Sequence, residues 1–239
     1  MTHNHISSSF DDELSRLRSK IVKMGSFVEE QYKQASIAMK TNDEELADQV
    51  RRQDALVDQM DVEIEKMAIE LVALRSPVAD DLRDIVSTIK ISAGLERIGD
   101  YAKNLAKRVH AINHDKTISV SSSLIDQMVK HIRSMISDVL DAYINRDVEL
   151  AIDVWRRDQE VDNLYNSLFR EMLTYMMENP RYITQATHLL FIAKNTERAG
   201  DHATNIAELV YYINEGELLD AKRPKDDSSN YLEIDIDNK

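Results

Sequence analysis

A nine-residue phrase occurs twice in this chain, as ERIGDYAKN from Glu96 to Asn104 and as ERAGDHATN from Glu197 to Asn205, 101 positions later. Upstream the recurrence continues at an offset of 104, where Asp54, Val57 and Asp58 are answered by Asp158, Val161 and Asp162. Asp43, Glu45, Leu46 and Ala47 recur at that offset as Asp147, Glu149, Leu150 and Ala151. A unit of about 100 residues exceeds the usual 20 to 50 of a solenoid repeat, so the chain reads as two copies of one small bundle, two compact halves. Between Arg83 and Leu95 only Ile91 matches its counterpart, Ile192. The matching is therefore concentrated in polar residues and glycine, where core packing alone does not ask for it.

Five glycines and three prolines in 239 residues leave little punctuation, while Leu, Ala, Glu, Met, Lys and Arg are plentiful. The fold class that follows is all-α. The two copies predict tandem, pseudo-symmetric three-helix bundles, six long helices in all, with a short flexible C-terminal tail. A net charge of −13 repels a phosphate backbone and argues against nucleic-acid binding. With no cysteine there is no disulfide and no thiolate metal site. No basic, apolar leader opens the chain and no window approaches 18 consecutive apolar residues, which predicts a cytoplasmic protein without direct membrane insertion.

From Phe10 to about Lys40, Leu14, Leu17, Ile21, Met24, Val28, Tyr32, Ala35 and Met39 recur in steps of three and four and predict an amphipathic helix. Asn42 and Asp43 cap a second helix whose buried stripe is expected at Leu56, Met60, Met67, Leu71 and Leu74, ending at Arg75 to Pro77. A third runs from Pro77 to near His114. The polar segment Asn113 to Ser123 separates the halves, with Ser121, Ser122 and Ser123 as caps for the next helix. Helices over Leu124 to Asn145, Asp147 to Glu178 and Pro180 to Asn214 complete the second half. The expected division is 8–114, 121–216 and a flexible acidic tail over 217–239.

On a helix, positions i and i+4 share a face, so Glu96, Asp100 and Asn104 form one oxygen-bearing stripe, and Glu197, Asp201 and Asn205 another. Asp54 and Asp58, with Asp61 and Glu65, form a stripe on the second helix, matched by Asp158 and Asp162. Both kinds of stripe are expected opposite the apolar face, pointing away from the bundle interior. If neighbouring helices bring them to one surface, each half offers four carboxylates and an amide, donors suited to a hard divalent or trivalent cation such as magnesium, manganese or iron. Like charges at this spacing oppose a helix by about 0.2 to 0.5 kcal/mol per pair, which a cation or simply water offsets. A solvated helix face is the plainer reading of any single pair.

Gly99 and Gly200 lie within the phrases, and a mid-helix glycine costs about 1 kcal/mol relative to alanine. A close neighbouring helix and a ligand near the backbone are the two explanations. Arg97 and Arg198 are expected to pair with nearby acids. His110 and His114 have metal-ligand spacing but no duplicated counterpart, and His202, in place of Tyr101, reads as surface variation. Met172, Tyr175, Met176 and Met177 read as core or interface.

The phrases ERIGD and ERAGD with their following asparagines, DxxVD in each half and the double three-helix plan resemble the PhoU family of bacterial phosphate-signalling regulators. The resemblance spans residues 5 to 214 and includes His5 to Ser7, Met24 and Gly25, Asp81 to Arg83, and Thr174 to Glu178. It implies a two-bundle protein that holds metal ions through Asp54, Asp58, Glu96 and Asp100 in one half, and through Asp158, Asp162, Glu197 and Asp201 in the other, with Asn104 and Asn205 alongside. The implied role is a regulatory adaptor between the phosphate ABC transporter, through its ATPase subunit, and a sensor histidine kinase, repressing the phosphate-starvation response and phosphate uptake. A homodimer is implied by the same resemblance, and association with the inner membrane only through partners.

Two alternatives stand beside it. A metal-independent docking scaffold needs only the acidic surface. A carboxylate-bridged di-metal oxidase or metal-storage bundle uses similar helices but pairs Glu with a histidine three residues on, and no ExxH occurs here. Nor is there a GxSxG, a P-loop, an HExxH or a cysteine nucleophile, so the chain is not expected to be an enzyme.

Overall fold

The computed structural model describes residues 2–112 and 119–219. Its helices are α1 (Thr2–Thr41), α2 (Glu44–Arg75), α3 (Ala79–Val109), α4 (Ser119–Asn145), α5 (Val148–Glu178) and α6 (Ile183–Glu215), with one turn of 3-10 helix at Pro180–Tyr182 before α6. There is no strand among the described residues. Of the expected tail over 217–239, residues 220–239 lie outside the described residues, as does His114. None of the described helices is long and apolar enough to cross a membrane.

Local chemistry sets the helix ends. Asp43 and its counterpart Asp147 each accept a hydrogen bond from the backbone N–H three residues on, at Leu46 (2.9 Å) and Leu150 (3.0 Å). The preceding residues, Asn42 and Arg146, both have φ 54, so the same tight reversal is built twice. Ser76 ends α2 in the left-handed region, and α3 starts at Ala79, after Pro77 rather than at it. α4 begins at Ser119, so Ser121, Ser122 and Ser123 lie within the helix and do not cap it.

All eight residues of the stripe expected on α1 are buried. On α2 the expected stripe is rotated. The buried line runs through Val50, Asp54, Val57, Ile64, Ala68 and Leu71, while Leu56 is 47% and Leu74 78% exposed. Apolar residues are spread around much of this helix, so the periodicity leaves open which arc meets the neighbours. The smaller, β-branched side permits the closer approach of α3, and Leu56 and Met60 are left to line a shallow groove against Lys20 and Lys23 of α1.

The halves share one continuous core rather than two separate ones. α1 runs antiparallel to α4, with Glu29 against Arg133 (3.0 Å), Ser36 against Asp126 (3.4 Å) and Gly25 against Leu140. α3 runs antiparallel to α6: Arg83 meets Ile213, Tyr101 meets His202 and Arg108 meets His188. Tyr101 and His202 are duplicated positions, and their rings face each other with centroids 5.8 Å apart. The approximate two-fold axis relating the halves passes between them, so His202 is a contact between halves and not free surface variation. α2 and α5 lie outermost.

Deep in the first half, the Tyr32 hydroxyl is fully buried and has no hydrogen-bond partner among the described residues. Burial and the nearby Tyr101 push its pKa well above the usual tyrosine range. An unpaired buried hydroxyl carries its full desolvation cost. Tyr32→Phe is therefore expected to stabilise the protein by about 1 kcal/mol in urea denaturation. A loss of stability would show that the hydroxyl is paired.

Candidate acidic sites at the helix seams

Because α2 turns its Asp54 line toward α3, the two acidic stripes of the first half meet at the α2–α3 seam. Asp54 is only 3% exposed, and its carboxylate receives a short contact from the Lys103 ammonium, which also donates to Asp100 Oδ1 at 3.3 Å. Arg97 lies beside Glu96 (3.5 Å) and Asp100 (3.8 Å). Asp61 accepts from Ser92 Oγ at 2.6 Å, and Asp58 sits at the exposed rim. The acids thus flank a buried seam instead of pointing away from the interior, a correction that follows from the rotation of α2.

Crowding shows in the electrostatics. Glu96 is pushed above the usual carboxylate range by burial, then by the charges of Asp100, Asp58 and Asp61. Burial also raises Asp54, with Asp58 and Asp100 acting in the same sense and Lys103 against them. A raised carboxylate contributes stability below its ordinary pKa and loses it as pH rises through the shifted one. Ionising either group carries a cost that nearby positive charge reduces.

In the second half Asp158, Asp162 and Glu197 are buried, at 1%, 4% and 6% exposure. A Cβ on Gly200 would lie 2.9 Å from Asp158 Oδ1, so this carboxylate of α5 rests against the backbone of α6 between Glu197 and Asp201. Asp201 is half-buried. Lys194 pairs with Glu197 at 3.1 Å and lies 4.9 Å from the Tyr165 ring centre. Position 103 is lysine in the first half and its counterpart Thr204 is not, so each seam holds its own ammonium from a different place on the third helix.

The asparagines do not complete these sets. Asn104 is half-buried and makes no side-chain hydrogen bond among the described residues, and Asn205 is exposed in the groove between α3 and α6. His110 contacts Glu44 (3.3 Å) and Asp48 (3.1 Å) at the start of α2. Arg97 pairs as expected; Arg198, exposed, forms no ion pair among the described residues. Of the methionine cluster, Met172 is buried and Met177 is exposed. The two glycines admit helices: a Cβ at Gly99 would meet Val57 of α2 at 3.3 Å and Gln31 of α1 at 3.4 Å.

The donor chemistry fits a hard cation, all oxygen and mostly anionic. The arrangement does not hold one as it stands: among the described residues no three His, Cys, Asp or Glu side chains are gathered closely enough to bind a metal ion. Lys103 takes that place in the first seam. Its spacing, three residues after Asp100, was available in the sequence as a same-face pair.

The PhoU domain model matches residues 21–109 and again 125–210. The chain is 46% identical over 221 residues to a phosphate-specific transport system accessory protein PhoU homolog of Caulobacter vibrioides, covering 92% of this chain and 96% of the relative. It is 44% identical to the homolog of the same description in Rhizobium meliloti, covering 97% and 98%. Among solved structures it is similar to PhoU from Pseudomonas aeruginosa, at 36% identity and a TM-score of 0.81 over 87% of this chain and 100% of that one. The phosphate transport system regulatory protein PhoU from Streptococcus pneumoniae superposes with a TM-score of 0.82 at 30% identity, over 89% and 100%. The chain belongs to the PhoU family.

Proposed function

We propose that this chain is a cytoplasmic accessory protein of phosphate transport. It acts as a regulatory adaptor, as a homodimer, between the ATPase subunit of the phosphate ABC transporter and a sensor histidine kinase, and represses phosphate uptake and the starvation response when phosphate is plentiful. Its relatives' names carry the first part of this reading. The meeting of Asp54, Asp58, Glu96 and Asp100 at one seam, repeated at the other, supports the second part, that the adaptor binds hard metal ions. Such an ion supplies positive charge to a crowded carboxylate set. Asp54, Asp58, Glu96 and Asp100 would hold it, with Lys103, its side chain 40% exposed, giving way to it.

Elemental analysis of protein purified without chelator or affinity metal is expected to find metal, and Glu96→Ala with Asp100→Ala to lose the first site's share. Glu96→Gln separates charge from packing. Without metal and at neutral pH it is expected to melt higher than the parent, by up to about 1 kcal/mol, because it removes a carboxylate held above its ordinary range. That advantage shrinks as pH falls through the ordinary glutamate range and Glu96 takes up a proton, and added Mn²⁺ raises the melting temperature of the parent more than that of the variant. The competing docking scaffold is favoured by one observation, that Lys103 and Lys194 already neutralise the two seams. Metal-free protein that retains transporter and kinase binding decides for the scaffold.

A further inference from the structure

We propose that the groove between α3 and α6 binds a small organic phosphate, with Lys90 and Arg97 holding the phosphoryl group and Ile206 and Leu209 carrying the rest of the molecule. The groove has a volume of about 360 Å³, and His202 and Asn205 add polar groups to its wall. No carboxylate lines it, in a chain whose net charge is −13. A dianion is the charge that two cations match, and a phosphate monoester near neutral pH carries about that charge. The apolar floor distinguishes an organic body from a bare inorganic ion, which gains nothing from Ile206 and Leu209.

Comparison with the equivalent groove across the two-fold axis sharpens the assignment. There Lys90 is replaced by Phe191 and Leu209 by Arg108. Arg108 lies over the Phe191 ring at 4.4 Å and is hydrogen-bonded to His188 at 3.1 Å, so that cation is already engaged. Gly94 is replaced by Asn195, whereas at Gly94 a Cβ would already press on Ile206 at 3.2 Å. What sets the first groove apart is Lys90: across the axis Arg198 answers to Arg97, but the other cations there, Arg108 and Lys194, are engaged with His188 and Glu197. Lys90 has no ion pair among the described residues, and Arg97, its side chain 62% exposed, is tied to Glu96 and Asp100 only by contacts of 3.5 and 3.8 Å. Exposed pairs of that kind are worth about 0 to 1 kcal/mol, less than a charge-assisted bidentate contact to phosphate returns.

The test is calorimetric titration of the full chain with AMP, adenosine and orthophosphate. AMP is expected to saturate one site, orthophosphate to bind more weakly and adenosine not at all. Lys90→Ala, at an exposed position, is expected to weaken AMP about tenfold, the equivalent of about 1.4 kcal/mol. Arg198→Ala, the equivalent of Arg97 outside this groove, leaves it unchanged. Binding of adenosine as tight as AMP, no effect of Lys90→Ala, or no saturation by AMP overturns the site. Orthophosphate as tight as AMP overturns the organic ligand. Because Arg97 also contacts Glu96 and Asp100, the titrations are made on metal-free protein, so that their outcome is separate from metal binding at the acidic seam.

Discussion

Gly200→Val is expected to destabilise the protein by about 3 kcal/mol in urea denaturation, while Gly99→Ala, at the duplicated position, is expected to stay within about 0.5 kcal/mol of the parent. Both changes remove a mid-helix glycine, which by itself returns about 1 kcal/mol with alanine and less with β-branched valine. The surroundings decide the sign. At Gly200 a Cβ would lie 2.9 Å from Asp158 Oδ1 and 3.2 Å from Ile132 Cδ1, and both side chains are buried with no space to retreat. Valine adds two more methyl groups to that contact, so overpacking outweighs the propensity gain. At Gly99 the nearest atoms are Val57 Cγ1 at 3.3 Å and Gln31 Oε1 at 3.4 Å, which need to give only a few tenths of an ångström. A neutral Gly200→Val would show that α5 and α6 are not held this closely, and the second acidic seam would lose its geometry.

This pair of glycines also shows what the sequence made legible. Their recurrence inside a polar phrase marked a close approach, by a helix or by a ligand, and the structure supplies the helix, whereas the buried line of α1 could be read residue by residue from spacing alone. The repeated Asp43 and Asp147 caps set both reversals before α2 and α5. Periodicity failed on α2 because apolar residues lie on both sides of the helix, Leu56, Met60 and Leu74 on one and Val50, Val57 and Ile64 on the other, and only the second side is buried against its neighbours. That error turned the Asp54 line outward when it faces in. The antiparallel pairing of α3 with α6 could not be read either: a repeat fixes contacts inside a unit, whereas the axis between Tyr101 and His202 is a relation between units. Asn205 followed the same logic, placed with the acids by its i+4 spacing and drawn into the groove between halves by a partner helix outside its own repeat.

The second large effect is expected where the halves are joined by charge. Asp84, 2% exposed, accepts from Arg18 of α1 and, at 2.8 Å, from Arg146 at the turn between α4 and α5. Beside it Thr88 Oγ1 donates to the Asp84 carbonyl (2.9 Å) or shares a 2.7 Å hydrogen bond with the Tyr143 hydroxyl, which burial pushes up to about 12. One carboxylate therefore binds a first-half and a second-half guanidinium. Its duplicated position is Gln185, so the far end of the molecule has no copy of this junction. Losing one partner of a fully buried pair costs about 3 to 5 kcal/mol, but both arginines reach solvent here, at 30% and 47% exposure, and the cost of Asp84→Ala falls to about 2 kcal/mol. Asp84→Asn keeps an acceptor and is expected to lose about half as much. Combining Asp84→Ala with Arg146→Ala is expected to cost less than the sum of the two, by about 1 kcal/mol, because the second substitution removes a charge that has already lost its partner. Additive losses in that cycle would mean that Arg146 is held at the turn by its φ 54 backbone alone, and that the two halves stay together through their shared core without the charge pair.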